Sequence, residues 1–352
     1  MAEMLLDVFD DDAFSVVELT AAVEKLPFTP GRIGRLNLFE SKPSTSSIAS
    51  IEEKNGTLSL VPVKPRGSQH NTTKSGDRRK LRAFNIPHMP LFDDLLAAEL
   101  EGKRAFGSGS QVEVFSQVLN DKLQSMKDDL AVTWEYHMVG CLHGIVLDAD
   151  GTTEVVDWFD EFGITQDEVE FNMYDGGTFD DADPVADVKQ LGIDVKRLMQ
   201  DALGGTPFSG IHAFCGDEFF DALVAHATVR RAYERYQENS FARTTQIDEK
   251  GFEFAGVVWE NYRGSVGSVD FFETDEAVFF PTGARGIFLE IPAPADFIET
   301  VNTRGQKLYA KQERMKYDKG IEVHVQSNVL YMCTRPKCLI RGVLVNEPGS
   351  GS

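Results

Sequence analysis

Residues 277–297 read A-V-F-F-P-T-G-A-R-G-I-F-L-E-I-P-A-P-A-D-F. Two short apolar runs flank Thr282-Gly283-Ala284-Arg285-Gly286, and a link punctuated by prolines follows. Runs rich in Val, Ile and Phe make strands, and Gly and Pro between them make turns. Two longer extended runs come next, over 307–314 and 320–333, with a turn near Asp318-Lys319-Gly320. The chain is thus predicted to close in β-structure.

Working back toward the N-terminus, the longest element is a helix over 111–143. Ser110 and Glu113 form a capping box at its start. Apolar residues recur at 112, 115, 119, 123, 126, 130, 134, 138 and 142, in steps of three and four. Gly144 supplies the stop. At ~1.5 Å per residue such a helix is about 50 Å long, which suits a spine across a flat body. Before it, Ile48 to Glu53 and Thr57 to Val63 flank Asn55-Gly56, a hairpin signal. A polar stretch over 67–76 and a return strand from Arg79 to Ile86 make a long two-stranded excursion. Such a ribbon is marginal in water unless it rests on something. Residues 15–25 read as a short helix. Two prolines and two glycines in Pro27-Phe28-Thr29-Pro30-Gly31-Arg32-Ile33-Gly34 then predict an extended arm.

Beyond the long helix, a hairpin turn is predicted at Asp148-Ala149-Asp150-Gly151, with strands near 155–159 and 168–173. A helix from Pro184 ends at Gly204-Gly205. A strand over 210–215 leads into a helix over 217–238, and further strands cover 251–259 and 269–272. Helices on a small sheet over 165–300 make an α+β domain.

Size and composition fit one large or two medium domains with real cores. The N-terminus lacks the basic region of a signal peptide, and no run is apolar enough to span a membrane. Four cysteines make no disulfide framework. The final Gly-Ser-Gly-Ser, 349–352, reads as an appended remnant. With 56 acidic and 35 basic residues the net charge is −21, which argues against tight nucleic-acid binding by the folded body. The charge is segregated. Residues 144–188 hold fourteen Asp or Glu and no Lys or Arg, whereas 64–82 hold seven Lys or Arg and one acid. Such runs are ordinarily solvated faces. On one chain they also suit head-to-tail association, because complementary potentials steer encounter and register. The candidate contact residues are therefore Arg32 and Arg35 on the arm, and Arg66, Lys74, Arg78, Arg79, Lys80 and Arg82 on the excursion.

No motif carries catalysis. His137 and His143 are six apart, not the four that a helical metal pair prefers. Asp148-x-Asp150-Gly151 lacks the sixth-position Gly and twelfth-position Glu of a calcium loop. Cys333 and Cys338 have no second ligand pair. Cys215 follows a strand without the first glycine of a nucleophile elbow. Val112 stands where a dinucleotide fingerprint after Gly107 needs glycine. No catalytic, cofactor or metal residue is predicted. Two rival readings stay open: an acidic metal-assisted hydrolase with ligands in 148–187, and a phage tail or adaptor protein.

The order of parts, arm, basic excursion, long helix, α+β domain and C-terminal strands, resembles the Hong Kong 97-type capsid fold. Phe28-Thr29-Pro30, the stretch from Val61 to Gly67, Gly216-Asp217-Glu218-Phe219-Phe220 and the stretch from Ala277 to Asp296 resemble the capsid protein E family of lambda-type tailed phages. The resemblance implies a major head protein that builds an icosahedral shell around double-stranded DNA. It implies an N-terminal arm over 1–45, an E-loop hairpin over 46–90 and a peripheral domain over 91–165 with a spine helix. An axial domain over 166–300 and peripheral C-terminal strands over 301–346 complete it. Arm and E-loop would reach neighbouring subunits, and axial domains would cluster into pentamers and hexamers. The implied partners are further copies of the chain, a portal and a scaffolding protein; whether a decoration protein also binds stays open. Because the arm starts near residue 1, the scaffolding protein is expected to be separate. The implied place is the virion, after synthesis in the bacterial cytoplasm.

Overall fold

The structure is a computed structural model and describes residues 31–53, 80–96, 111–173, 188–226, 229, 251–266 and 269–345. Several expectations lie outside those residues: the 15–25 helix, the Asn55-Gly56 turn and 57–63 strand, Ser110, Pro184, the 227–238 segment except Val229, and 349–352. In chain order the first elements are α1 (Arg32–Leu36), β1 (Glu40–Ser41), β2 (Ile48–Glu53), β3 (Lys80–Asn85), β4 (Met89–Leu96) and α2 (Gln111–His143). Then come β5 (Ile145–Leu147), β6 (Glu154–Asp157), α3 (Trp158–Phe162), β7 (Asp167–Phe171), α4 (Val188–Leu203), β8 (Gly210–Cys215) and α5 (Asp217–Ala225). The rest are strands: β9 (Phe252–Phe254), β10 (Val257–Asn261), β11 (Ser265–Val266), β12 (Val269–Asp270), β13 (Glu276–Thr282), β14 (Phe288–Pro292), β15 (Tyr309–Arg314), β16 (Gly320–Ser327), β17 (Val329–Cys333) and β18 (Ile340–Leu344).

The chain divides into two compact units. One comprises 1–52, 81–136 and 289–332, and the other 53–80, 137–288 and 333–352. The first unit holds most of α2 and two three-stranded sheets, β1-β14-β17 and β15-β16-β4, with the paired strands β2 and β3. The apolar stripe of α2 is buried as its spacing demands: Leu119, Leu123, Met126, Leu130 and Trp134 are all at most 5% exposed. Burying each such side chain contributes about 1.5–3 kcal/mol. Polar contacts fix the helix as well. The Trp134 indole N–H donates to Ser327 Oγ at 2.8 Å, and Lys122 Nζ pairs with Asp93 at 3.1 Å.

The second unit is built on a six-stranded mixed sheet, order β7-β18-β13-β8-β10-β9. Phe279, Ala213 and Trp259 stand opposite one another across three strands. Their face meets Phe171, stacked on Phe279 at 5.8 Å, and Phe219 of α5. Neighbouring positions put Phe280, His212 and Phe214 on the other face, also buried. Phe supplies most of both layers, which explains its heavy use in the sequence. Gly144, at φ +90°, ends α2; a Cβ there would sit 2.1 Å from the Phe159 ring.

Several predicted elements are corrected. The arm is not extended at Arg32–Leu36 but turns once as a helix. The expected return strand, by contrast, is present as β3 and pairs with β2. The 251–259 run is two strands, because Ala255 and Gly256 both adopt positive φ and reverse the chain. The helix after residue 217 is interrupted at His226, whose ψ of 132° is extended. The strand expected near 155–159 ends at Asp157, whose carboxylate caps α3 by accepting from the N–H groups of Phe159 and Asp160. The two runs around Thr282–Gly286 are strands as expected, and they belong to different sheets. The 320–333 run breaks at Asn328.

Candidate assembly surfaces

Of the predicted contact residues, the structure describes four. Arg32 is half-buried and Arg35 exposed, one turn apart on α1. Lys80 opens β3, and Arg82, half-buried, follows on the same strand. Arg66, Lys74, Arg78 and Arg79 lie outside the described residues.

A five-residue helix has little intrinsic stability. The buried carboxylate of Glu135 on α2 supports α1: it accepts from Ile33 N–H at 2.6 Å and Gly34 N–H at 3.3 Å. Ile33 is fully buried. A Cβ at Gly31 would fall 2.3 Å from Glu135 Cδ, so a side chain there would displace the carboxylate that holds the helix. Glu135 thus fixes α1 against α2. The sequence carried one signal for it: Ala131, Glu135, Met138 and Leu142 form a helical row in which an acid stands among apolar residues.

The acidic run is partly neutralised from far along the chain. Lys337 pairs with Asp167, and Arg341 reaches Glu168 at 3.4 Å and the buried Glu276 at 2.9 Å. These partners are invisible to a local charge count. Asp148 and Asp150 sit in the β5–β6 turn. Hydrogen bonds from the Thr153 hydroxyl, then from the N–H groups of Thr153 and Thr152, hold the Asp150 carboxyl well below the usual carboxylate range. Among the described residues, no three His, Cys, Asp or Glu side chains converge as a metal site requires. The four cysteines are free and buried, and burial pushes the Cys141 and Cys215 thiols up. The buried His212 Nε2 lies 3.0 Å from Glu260 Oε2, within the central sheet.

A second surface lies on the β15-β16-β4 sheet, which the sequence reading passed over. Phe92 on β4 is 69% exposed and stacks on His324 of β16 at 4.1 Å between ring centroids. Phe297 meets the same imidazole edge-on at 5.3 Å. Burial pushes the His324 imidazole down, while Asp296 pulls it back up. Residues 89–96 put apolar residues and one Asp on each face of the strand, so no alternation flags it.

Residues 15–344 match the family described as phage major capsid protein E. The chain belongs to that family. It is 26% identical over 351 residues to the major capsid protein of Pseudomonas phage KPP10, covering 94% of this chain and 96% of that one. It is 25% identical over 359 residues to the major capsid protein of Salmonella phage Felix O1, isolate Felix O1-VT1, covering 93% and 95%. In fold it is similar to a crystal structure of a prophage protein from E. coli CFT073 described as a capsid protein. That likeness has a TM-score of 0.52 and 14% identity, and covers 94% of this chain and 99% of that one. The chain is a major capsid protein of a tailed phage, its fold is the Hong Kong 97-like one expected, and its place is the virion.

Proposed function

We propose that this chain forms the wall of an icosahedral head by pairing oppositely charged surfaces of its own copies, and that it does so without catalysis. The observation that carries the reading is the family match along 15–344, which spans arm, excursion, long helix and sheet domains together. The first compact unit, with α2 and the β15-β16-β4 sheet, takes the part of the peripheral domain. The second, with the six-stranded sheet, takes the part of the axial domain that clusters in pentamers and hexamers. Arg32, Arg35 and the basic stretch from Arg66 through Lys74, Arg78, Arg79 and Lys80 to Arg82 bear on acidic surfaces of neighbours. A net charge of −21 keeps the wall from gluing to the DNA it encloses. A portal and a separate scaffolding protein complete the set of partners, and synthesis takes place in the host cytoplasm. Burial of the four thiols and of the His212–Glu260 pair supports a structural rather than chemical role.

The test is charge neutralisation. The chain carrying R78Q, R79Q, K80Q and R82Q is expressed with the other head-assembly proteins of its phage. Sedimentation and negative-stain microscopy should find folded chain that no longer closes into shells. Shells formed at the unaltered yield would show that this charge pairing is not used.

A further inference from the structure

His143, the last residue of α2, sits at the end of a chain of charged groups within the second unit. Its Nδ1 lies 3.5 Å from Glu276 Oε1. The other oxygen of that buried carboxylate accepts from Arg341 Nε at 2.9 Å, and Arg341 reaches on to Glu168 at 3.4 Å. The imidazole packs on the Phe272 ring at 4.5 Å between centroids. Its Nε2 is buried and makes no hydrogen bond. The groups facing the imidazole are thus Glu276 from β13, Arg341 from β18, and the Phe271 carbonyl and Phe272 ring from the segment between β12 and β13. Burial pushes the imidazole down; Glu276 and the Phe271 carbonyl pull it up, and Arg341 opposes them.

The neutral ring suits this pocket and the charged ring does not. The carboxylate favours the tautomer with its proton on Nδ1. A second proton goes to Nε2, which has no hydrogen-bond partner, and a buried donor left unpaired is costly. The side chain is 22% exposed, so the charged ring has a way out to water. Phe272 lies against it, and the segment that carries Phe272 braces the start of α5. The Thr274 carbonyl accepts from Phe219 N–H at 2.9 Å, and the Glu276 carbonyl accepts from Gly216 N–H at 2.9 Å. Glu273 N–H returns to Glu276 Oε1 at 3.3 Å. The packing is tight: a Cβ on Gly216 would sit 2.0 Å from the Glu273 carbonyl oxygen.

We propose that His143 is a proton-operated latch: a proton on Nε2 releases residues 271–275 from the end of α2 and loosens the start of α5, while the six-stranded sheet stays folded. The latch works within one subunit and does not depend on contacts between copies. Because burial holds the folded imidazole below its ordinary value of 6.5, the closed segment is favoured above that pH and lost as the pH falls below it. A single proton limits the change to about tenfold per pH unit. Local opening of this kind precedes global unfolding where a segment is held by few contacts.

Amide hydrogen exchange of the full chain, read by mass spectrometry and corrected for the intrinsic pH dependence of exchange, tests it. Peptides covering 216–219 and 271–276 should lose protection by up to about tenfold per pH unit below 6.5, until the closed ring itself titrates. Residues 211–215 of the central sheet should stay protected over the same labelling time. Exchange at the C2 position of the His143 imidazole gives that ring's midpoint in the unaltered chain. The total loss of protection should amount to about tenfold for each unit by which that midpoint lies under 6.5. H143Q, which takes no proton, should show no such loss. Protection that does not change with pH, a loss that persists in H143Q, or a loss that does not match the displacement of the ring overturns the proposal. If H143Q does not fold, the match between ring midpoint and protection in the unaltered chain decides alone.

Discussion

Replacing Glu135 by alanine removes the acceptor that holds α1 against the long helix. Ile33 N–H is buried and bonded at 2.6 Å, so stranding it costs about 2 kcal/mol, within the ~1–3 kcal/mol range for an unsatisfied buried donor. Gly34 N–H, at 3.3 Å and half-exposed, recovers water and loses only about 1 kcal/mol. The sum, about 3 kcal/mol, falls on the first compact unit, where both partners reside. Urea denaturation should move its midpoint accordingly, with unchanged slope if the native fold persists. E135Q keeps one carbonyl oxygen and should recover about half of the loss, since neutral bonds are roughly half as strong as charge-assisted ones. Limited proteolysis near Gly31 should quicken in E135A but much less in E135Q. If E135A unfolds within about 0.5 kcal/mol of the unaltered chain, as ordinary surface changes do, Glu135 does not anchor the arm.

Gly144→Ala combines a φ of +90° with a Cβ placed 2.1 Å from the Phe159 ring, and should cost at least about 2 kcal/mol in thermal or urea denaturation. Burial pushes His137 and His143 down, against the pull of Asp148 and Glu276. Unfolded, each histidine takes a proton near pH 6.5, while the folded protein resists, so stability is complete above that pH and declines below it. The decline is at most about 1.4 kcal/mol per pH unit per histidine, and H137Q should flatten it in urea titrations run from pH 7.5 to 5. Burial and raised thiols predict that Ellman's reagent finds almost no reactive cysteine in folded protein, and all four after denaturation.

The elements most legible in the sequence are those whose residues decide their own conformation. The long helix was readable because its apolar steps and Gly144 agree, and each described residue of the stripe is buried. Strand β8 was readable from residues 210–215 because apolar side chains lie between two glycines. Elements decided by a distant partner were not. Helix α1 exists because a carboxylate about a hundred residues away caps it, against the local advice of Gly and Pro. The β9–β10 turn hid behind Ala255, which adopts a φ of 56° that its side chain disfavours. The neutralising partners of Asp167 and Glu168 lie some 170 residues away, on Lys337 and Arg341. The Phe92–His324 face needs strand register, which no local pattern in a three-stranded sheet reveals.

Cryo-electron microscopy of particles formed by this chain with its phage's head-assembly proteins is the most direct test. A closed shell should appear whose wall is filled by copies of this chain, with α2 in every subunit and residues 60–82 of each copy lying on another. A monodisperse solitary molecule, or a shell whose wall density this chain does not fit, would contradict assembly as its function.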